Sequence, residues 1–334
     1  MSYLYVIEHG SVISISGGYF VVKYKSGMER KIPQDLLEAI SIFGKVSMTT
    51  QCVEECLKRG VVVNFFSKRG SYFGRLSSTR HMNIFRQKKQ FYLSEDEQYC
   101  LELSKNMIRA KIHNQKVVLR RYIKENNDNM KAYIQNMNIA EHKIDSCKSY
   151  NEIMGFEGFA SKNYFKGLSE LVADDFKFNG RNRMPPRDPF NSLLSLGYTI
   201  LMYEIYGCIE NKGLHPYAGF LHKDRERHPT LASDLMEEWR AVIVDSVVLS
   251  LIQGNEIKKE MFSTDTETGG VFLNNDAMRI FIKKMERKLS TEMNYLSYTS
   301  YRSSFRKGLW LQTGQLVKAI EQEDPNIYEP IRIR

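Results

Sequence analysis

Three histidines, His215, His222 and His228, precede three closely spaced carboxylates, Asp234, Glu237 and Glu238, in GLHPYAGFLHKDRERHPTLASDLMEEWR, residues 213–240. Asp234 and Glu237 are three apart, which on a helix places them on one face a turn apart. One imidazole with oxygen ligands is a set suited to Mg2+ or Mn2+. Such an ion can coordinate a phosphate oxygen, stabilise charge at phosphorus and orient a nucleophile. A second candidate lies in GFEGFASKNYFKGL, residues 155–168, where Gly155 and Gly158 stand on either side of a lone Glu157. Each interior glycine weakens a helix by about 1 kcal/mol relative to alanine. A stretch that otherwise reads as helix therefore gives up stability around one carboxylate.

Two readings of the glycines stand side by side. Small residues admit a metal or a nucleic-acid backbone close to Glu157, or they let another helix pack closely and leave Glu157 in solvent. The other candidates also have ordinary readings. His222, following the apolar GFL, fits a hydrogen-bonded, partly buried histidine. Asp234, Glu237 and Glu238 fit a charged face favoured by the helix macrodipole. Several alternative chemistries lack their motif. There is no GxxxxGK[ST] or GxGxxG phosphate loop, no HExxH zinc site and no GxSxG nucleophile elbow.

The elements that must position these residues fall into two blocks. Residues 3–32 hold the short apolar runs YLYVI, SVISIS and YFVVKY, split by Gly10, Gly17, Gly18 and Gly27, and read as antiparallel strands. PQDLLEAISIFG reads as a helical turn entering a buried strand. TTQCVEECLKRG reads as a helix capped by Thr50 and stopped by Gly60, and VVVNFFSKRGSYFGRL as a hairpin turning at residues 68–70. Beyond about residue 85 the spacing becomes helical, with Ser94 and Glu97 as a capping box. Helical patterning runs to about residue 322, broken mainly by the basic, proline-rich loop FKFNGRNRMPPRDPFN, residues 176–191. The expected fold class is α+β. A small N-terminal β-rich, sandwich-like domain spans residues 1–80, a hinge spans 81–92, and a larger all-α domain spans 93–334.

Charge narrows the partners. The 334 residues carry a net charge of +9, and residues 1–88 hold 13 Lys+Arg against 6 Asp+Glu, or +7 of that total. Such a balance favours nucleic acid over other partners. Five scattered cysteines without framework spacing fit a reduced, cytoplasmic protein. Cys52 and Cys56 have no second ligand pair nearby, so they read as buried apolar residues rather than a zinc site. The first residues, MSYLYVIEHGSV, lack the pattern of a signal peptide, and the apolar run AVIVDSVVLSLI is too short to span a bilayer and reads as a buried helix.

Three segments in order, GFEGFASKNYF, PFNSLLSLGYTIL and GLHPYAGFLH followed by LASDLMEEWR, resemble the CRISPR-associated integrase family of spacer acquisition, the Cas-one endonucleases. The resemblance covers essentially the whole chain. It implies that the metal-binding and catalytic residues are Glu157, His222 and Glu237, with Asp234 as an auxiliary carboxylate and Asn191 and Tyr164 near the site. It further implies a Mg2+- or Mn2+-dependent enzyme in which a 3′-hydroxyl on a short foreign DNA fragment attacks a phosphodiester at the edge of a CRISPR repeat. The same site would also cleave branched DNA. The implied partners are double-stranded DNA, a second copy of the chain joined through the N-terminal domain, and the small Cas-two protein. No membrane is implied. Arg181, Arg183 and Arg187 in the proline loop, with Lys223, Arg225 and Arg227 beside His222, are the expected track for DNA phosphates; each is equally readable as solvated charge. Two other classes stay open: a basic DNA-binding scaffold without chemistry, and a stand-alone repair nuclease of the same fold.

Overall fold

The computed structural model describes residues 2–123 and 127–334. The chain divides into two compact units, Met1–Met82 and Asn83–Arg334. The α+β class is as expected, with strands concentrated in the first unit and helices in the second.

The first unit contains β1 (Ser2–Val6), β2 (Val12–Ser16), β3 (Tyr19–Lys23), β4 (Glu29–Pro33), β5 (Leu37–Phe43), β6 (Ser47–Met48), α1 (Thr50–Arg59), β7 (Val62–Phe66) and β8 (Tyr72–Leu76). One sheet has the order β1-β5-β7-β8 and the other β4-β3-β2-β6. Leu4, Ile13, Phe20, Ile40 and Val63, drawn from both sheets, share one core with Cys52 and Cys56 of α1. β2, β3 and β4 are antiparallel as the glycine spacing suggests, but β1 is not part of that set. It pairs in parallel with β5, because the residues between β1 and β2 carry the chain from one sheet to the other instead of closing a hairpin. The β7–β8 hairpin turns at Gly70, whose φ of 86° needs a residue without a Cβ. Gly60 ends α1 in the left-handed conformation, while the cap at its start is Thr49, not Thr50, since Thr49 accepts from the Cys52 N–H.

The second unit is built from α2 (Ile84–Ser94), α3 (Glu97–Tyr122), α4 (Asp128–Ile144), α5 (Tyr150–Glu170), α6 (Pro189–Asn211), α7 (Thr230–Met236), α8 (Ser246–Gln253), α9 (Asn275–Ser290) and α10 (Phe305–Gln322). A π-helical turn, Ala241–Asp245, leads into α8. The unit is not all-α: β9 (Phe262–Thr264) pairs with β10 (Val271–Leu273), and β11 (Glu292–Met293) with β12 (Ser303–Ser304). Residues 84–92, expected as part of a hinge, are helical and anchored. The Gln90 amide is buried, donates to the carbonyls of His215 and Ala218 and accepts from the His215 N–H. Asp96 caps α3 in place of Ser94, which is the last residue of α2. α6 has the length and apolarity of a membrane span, yet most of that stretch is buried inside the unit, as in the core helix of a globular domain.

Candidate functional site

Along α3 the apolar stripe runs through Leu103, Met107 and Val118, and Lys111 and Asn114 occupy the positions between. Both polar side chains are buried. Lys111 Nζ lies 2.5 Å from Glu157 Oε1 of α5 and 2.6 Å from Glu237 Oε2 just past α7. Two carboxylates from distant parts of the chain thus stand on either side of one ammonium. Burial works against the Lys111 charge, but Glu237 and then Glu157 outweigh it and raise its pKa. Burial also favours protonation of both carboxyls and is likewise outweighed. Lys111 lowers the Glu157 pKa, while Arg240, Lys111 and His222 hold Glu237 at about 2. Both carboxylates are therefore ionised at neutral pH.

Each carboxylate has further support. The Ser161 hydroxyl, one turn along α5, donates to Glu157 Oε1 at 2.7 Å. Arg240 Nη2 lies 2.9 Å from Glu237 Oε1, and its guanidinium sits 5.0 Å from the centre of the Tyr198 ring. Gly155 and Gly158 face open space: a Cβ on either would meet nothing within 4 Å. Among the described residues no other helix packs against these glycines.

Asp234 organises the histidine. Its Oδ2 accepts the N–H groups of Phe220 and Leu221 at 2.7 and 3.0 Å, and its Oδ1 accepts the N–H and ring Nδ1 of His222 at 3.1 and 2.7 Å. An Nδ1–H donating to Asp234 Oδ1 leaves Nε2 of the neutral ring with its lone pair. That Nε2 lies 3.9 Å from Glu237 Oε1. Burial lowers the His222 pKa, but Asp234 more than compensates and the net direction is up. The GFLH segment can wrap around Asp234 because residue 219 is glycine. A Cβ there would sit 2.6 Å from Asp234 Oδ2 and 2.5 Å from Thr230 Cγ2.

The charged-face reading of the acidic triplet fails, since Asp234, Glu237 and Glu238 are all buried. Nor do they lie on one continuous helix. The Glu237 and Trp239 N–H groups bond three residues back, to Asp234 and Met236, and the tightened turn ends α7. Each carboxylate then meets a different partner. Glu238 accepts from the Tyr328 hydroxyl and from the Ile331 N–H at 2.7 Å.

Two carboxylates and an imidazole Nε2 are donors suited to Mg2+ or Mn2+. Glu237 Oε2 is buried without a hydrogen bond of good geometry, its charge matched by Lys111. The set fits a divalent ion if the ammonium moves aside. With Lys111 in place, no three His, Cys, Asp or Glu side chains among the described residues converge on one point.

The remaining sequence candidates lie elsewhere. Tyr164 is buried and donates to Asp245 Oδ2 at 2.7 Å, opposite Tyr198, which donates to Oδ1 at 2.6 Å. Asn191 ties the proline loop to α6: it donates to Gly180 O and Asp188 Oδ2 and accepts from Arg181. Arg181 is not a free surface cation, because its guanidinium donates to Asn182 O, Asn191 and Ser195 within its own loop and helix. Arg187 is exposed but donates to Thr268 O at 2.7 Å. Arg183, Lys223, Arg225 and Arg227 are exposed, interleaved in the second group with Asp224 and Glu226. His215 packs at a tilt against the rings of Phe91 and Tyr217, and His228 Nε2 meets the Ser233 hydroxyl. Sequence reasoning does not single out Lys111 or Arg240, since a charge on a helix reads as solvated. The available signal is that Lys111 continues an apolar stripe.

The family model described as "CRISPR associated protein Cas1" matches residues 4–287. A Mycobacterium tuberculosis protein named CRISPR-associated endonuclease Cas1 is 37% identical over 326 residues, spanning 98% of this chain and 96% of that one. A Thermus thermophilus protein named CRISPR-associated endonuclease Cas1 3 is 34% identical over 99% of this chain and 97% of its own. Among solved structures, a casposase bound to integration product superposes with a TM-score of 0.85 at 24% identity, covering 100% of this chain and 96% of that chain. A Cas1 protein from Thermotoga maritima gives 0.81 at 22% identity, covering 96% and 97%. A chain of a Cas6-RT-Cas1–Cas2 complex gives 0.85 at 23% identity, where all of this chain matches 36% of the longer one. What these structures share with this chain is the fold.

Proposed function

This chain belongs to the CRISPR-associated Cas1 family, and on that premise we propose that it is a divalent-metal-dependent DNA integrase and endonuclease of spacer acquisition. One observation carries the reading: Glu157 and Glu237 flank a single buried cation, with Nε2 of His222 beside Glu237.

In this reading the 3′-hydroxyl of a short foreign DNA fragment attacks a phosphodiester at the edge of a CRISPR repeat. One P–O bond forms as another breaks, and the proton of the attacking hydroxyl ends on the leaving 3′-oxygen. The number of phosphodiesters is unchanged, so no external energy source is needed. Glu157, His222 and Glu237 would hold Mg2+ or Mn2+, which when bound supplies charge at the reacting phosphate and favours ionisation of the attacking hydroxyl. The protein's own groups do the rest. Asp234 keeps the His222 ring in one tautomer and orientation, as partners behind metal-ligating histidines do. Arg240, paired with Glu237, would place fixed positive charge where negative charge develops in the transition state, and Lys111 would hold the two carboxylates in position until the ion displaces it. Gly155 and Gly158 leave the Glu157 side open for a DNA backbone. Arg183, Arg187, Lys223, Arg225 and Arg227 would contact phosphates without reading sequence. A homodimer joined to the small Cas-two protein would hold both ends of one fragment at a fixed spacing, in the cytoplasm.

The test is strand transfer into a repeat-containing plasmid, with Mn2+ or EDTA and with or without the small partner, using wild type and Glu157→Ala checked for folding by circular dichroism. Transfer that needs metal and is lost in folded Glu157→Ala supports the proposal. Transfer that persists in EDTA or in the variant overturns it. Cleavage of branched DNA without any transfer would mark a repair nuclease instead, and no metal-dependent reaction at all would mark a scaffold.

A further inference from the structure

A second charged recess lies away from the Lys111 cluster. The end of α3, α8 and the last turns of α9 enclose a cavity of about 270 Å3. Tyr122 in its wall is eleven residues past Lys111 on α3, about 16 Å along a helix rising 1.5 Å per residue. The cavity is lined by Arg121, Lys284, Arg287 and Lys288 together with the hydroxyl-bearing Tyr122 and Ser250, and among the described residues no Asp or Glu lines it.

Lys284 is ion-paired with Glu256. Arg121, Arg287 and Lys288 have no carboxylate partner among the described residues. Arg121 is held by donation to the Arg334 backbone carbonyl and, at 3.4 Å, to the Tyr295 hydroxyl. Lys288 Nζ sits 4.4 Å from the centre of the Phe305 ring. Burial, and then the neighbouring Arg121 charge, bring the Lys288 pKa down to about 8. Like charges gathered in a recess repel one another, and an anion seated among them would relieve that repulsion through charge-assisted hydrogen bonds.

We propose that this recess binds a phosphomonoester, from either a nucleotide or the 5′-phosphate end of a DNA strand. A phosphomonoester carries about −1.5 to −2 charge at neutral pH and three acceptor oxygens, which matches three cations without a carboxylate partner among the described residues and two hydroxyl-bearing side chains. A phosphodiester carries about one negative charge and continues on both sides, which suits an open groove rather than a recess. The volume lies just below the roughly 300–1,000 Å3 of small-molecule sites, enough for a phosphate and part of the group attached to it.

The experiment uses the full-length protein at fixed ionic strength. Calorimetric titrations with inorganic phosphate and with AMP run beside fluorescence anisotropy of one duplex bearing either a 5′-phosphate or a 5′-hydroxyl. Arg287→Ala, at an exposed position, and Lys288→Met are compared with wild type, with folding checked by circular dichroism. Wild type is expected to bind at least one phosphomonoester probe, and each variant to weaken that binding by about tenfold. A preference for the phosphorylated duplex without binding of AMP or phosphate assigns the recess to a DNA end; binding of AMP or phosphate without duplex preference assigns it to a soluble ligand. No binding of any phosphomonoester probe, or binding that survives in both variants, overturns the proposal.

Discussion

Lys111 Nζ lies 2.6 Å from Glu237 Oε2, both side chains buried, and the same ammonium reaches Glu157. The lysine stands where the proposed ion would bring the two carboxylates together. Lys111→Met leaves them facing each other without the charge between them, with Arg240 still paired to Glu237 alone. Removing one partner of a buried ion pair costs about 3–5 kcal/mol. Urea unfolding in EDTA should show a loss of that order, with Mn2+ restoring more stability to the variant than it adds to wild type. Equal Mn2+ stabilisation of both would mean that Lys111 and the ion do not share a place.

Two glycines near the site should respond in opposite ways. Gly158→Ala introduces a Cβ with nothing within 4 Å, so helix propensity alone predicts a gain of about 1 kcal/mol. The same protein should bind DNA more weakly if that open face receives a backbone. Gly219→Ala forces a Cβ against Thr230 and Asp234 and should lose about 1–3 kcal/mol as an overpacked position, along with the His222 geometry. Thermal unfolding and DNA anisotropy of both variants check this. Wild-type DNA affinity in Gly158→Ala would return the glycine to an unexplained helix defect.

Glu238 supplies a pH dependence. Burial pushes its carboxyl up to about 8, against the lowering effect of bonds from Tyr328 and the Ile331 N–H. In the unfolded chain a glutamate titrates near ~4.3. The folded state therefore holds the extra proton between these values. Its contribution to stability is full below about pH 4.3 and is lost as pH rises toward 8. Glu238→Gln should lack this slope, so its stability should gain on wild type as pH is raised from about 5 to 8. Urea midpoints across that range decide it, and parallel curves would place the titration on another group.

Arg225 and Arg181 separate DNA contact from loop structure. Arg225 is exposed in the loop after His222, while Arg181 is committed to Asn182, Asn191 and Ser195. Arg225→Ala should reduce the salt slope of DNA binding by about 1. Arg181→Ala should leave that slope alone and lower thermal stability instead. A slope that stays at the wild-type value in Arg225→Ala would remove this residue from the phosphate track.

Much of the proposed site is legible in the amino-acid sequence. Glycines on both sides of one carboxylate in a helical stretch single out Glu157, and the family resemblance carried by the GFLH and DLME segments implies His222 and Glu237. Asp234, expected as an auxiliary carboxylate, accepts the N–H and ring Nδ1 of His222. The strand and helix blocks are readable from periodicity, because alternation of 2 and spacing of 3.6 are local properties. Pairing is not local: β1 leaves its expected neighbours for β5, and residues 84–92 are held in place by Gln90, whose buried backbone partners lie more than a hundred residues away.

The amino-acid order by itself determined which acids and imidazole were available, their local backbone setting and the family. Only the tertiary structure decided where each charge pointed. Asp234, Glu237 and Glu238, neighbours in sequence, turn to three separate partners, and Lys111, an ordinary helical lysine by its sequence setting, becomes the cation between two carboxylates. The physical reason is that buried charge is tolerated only where opposite charge or hydrogen bonds meet it, and those partners come from segments far apart along the chain.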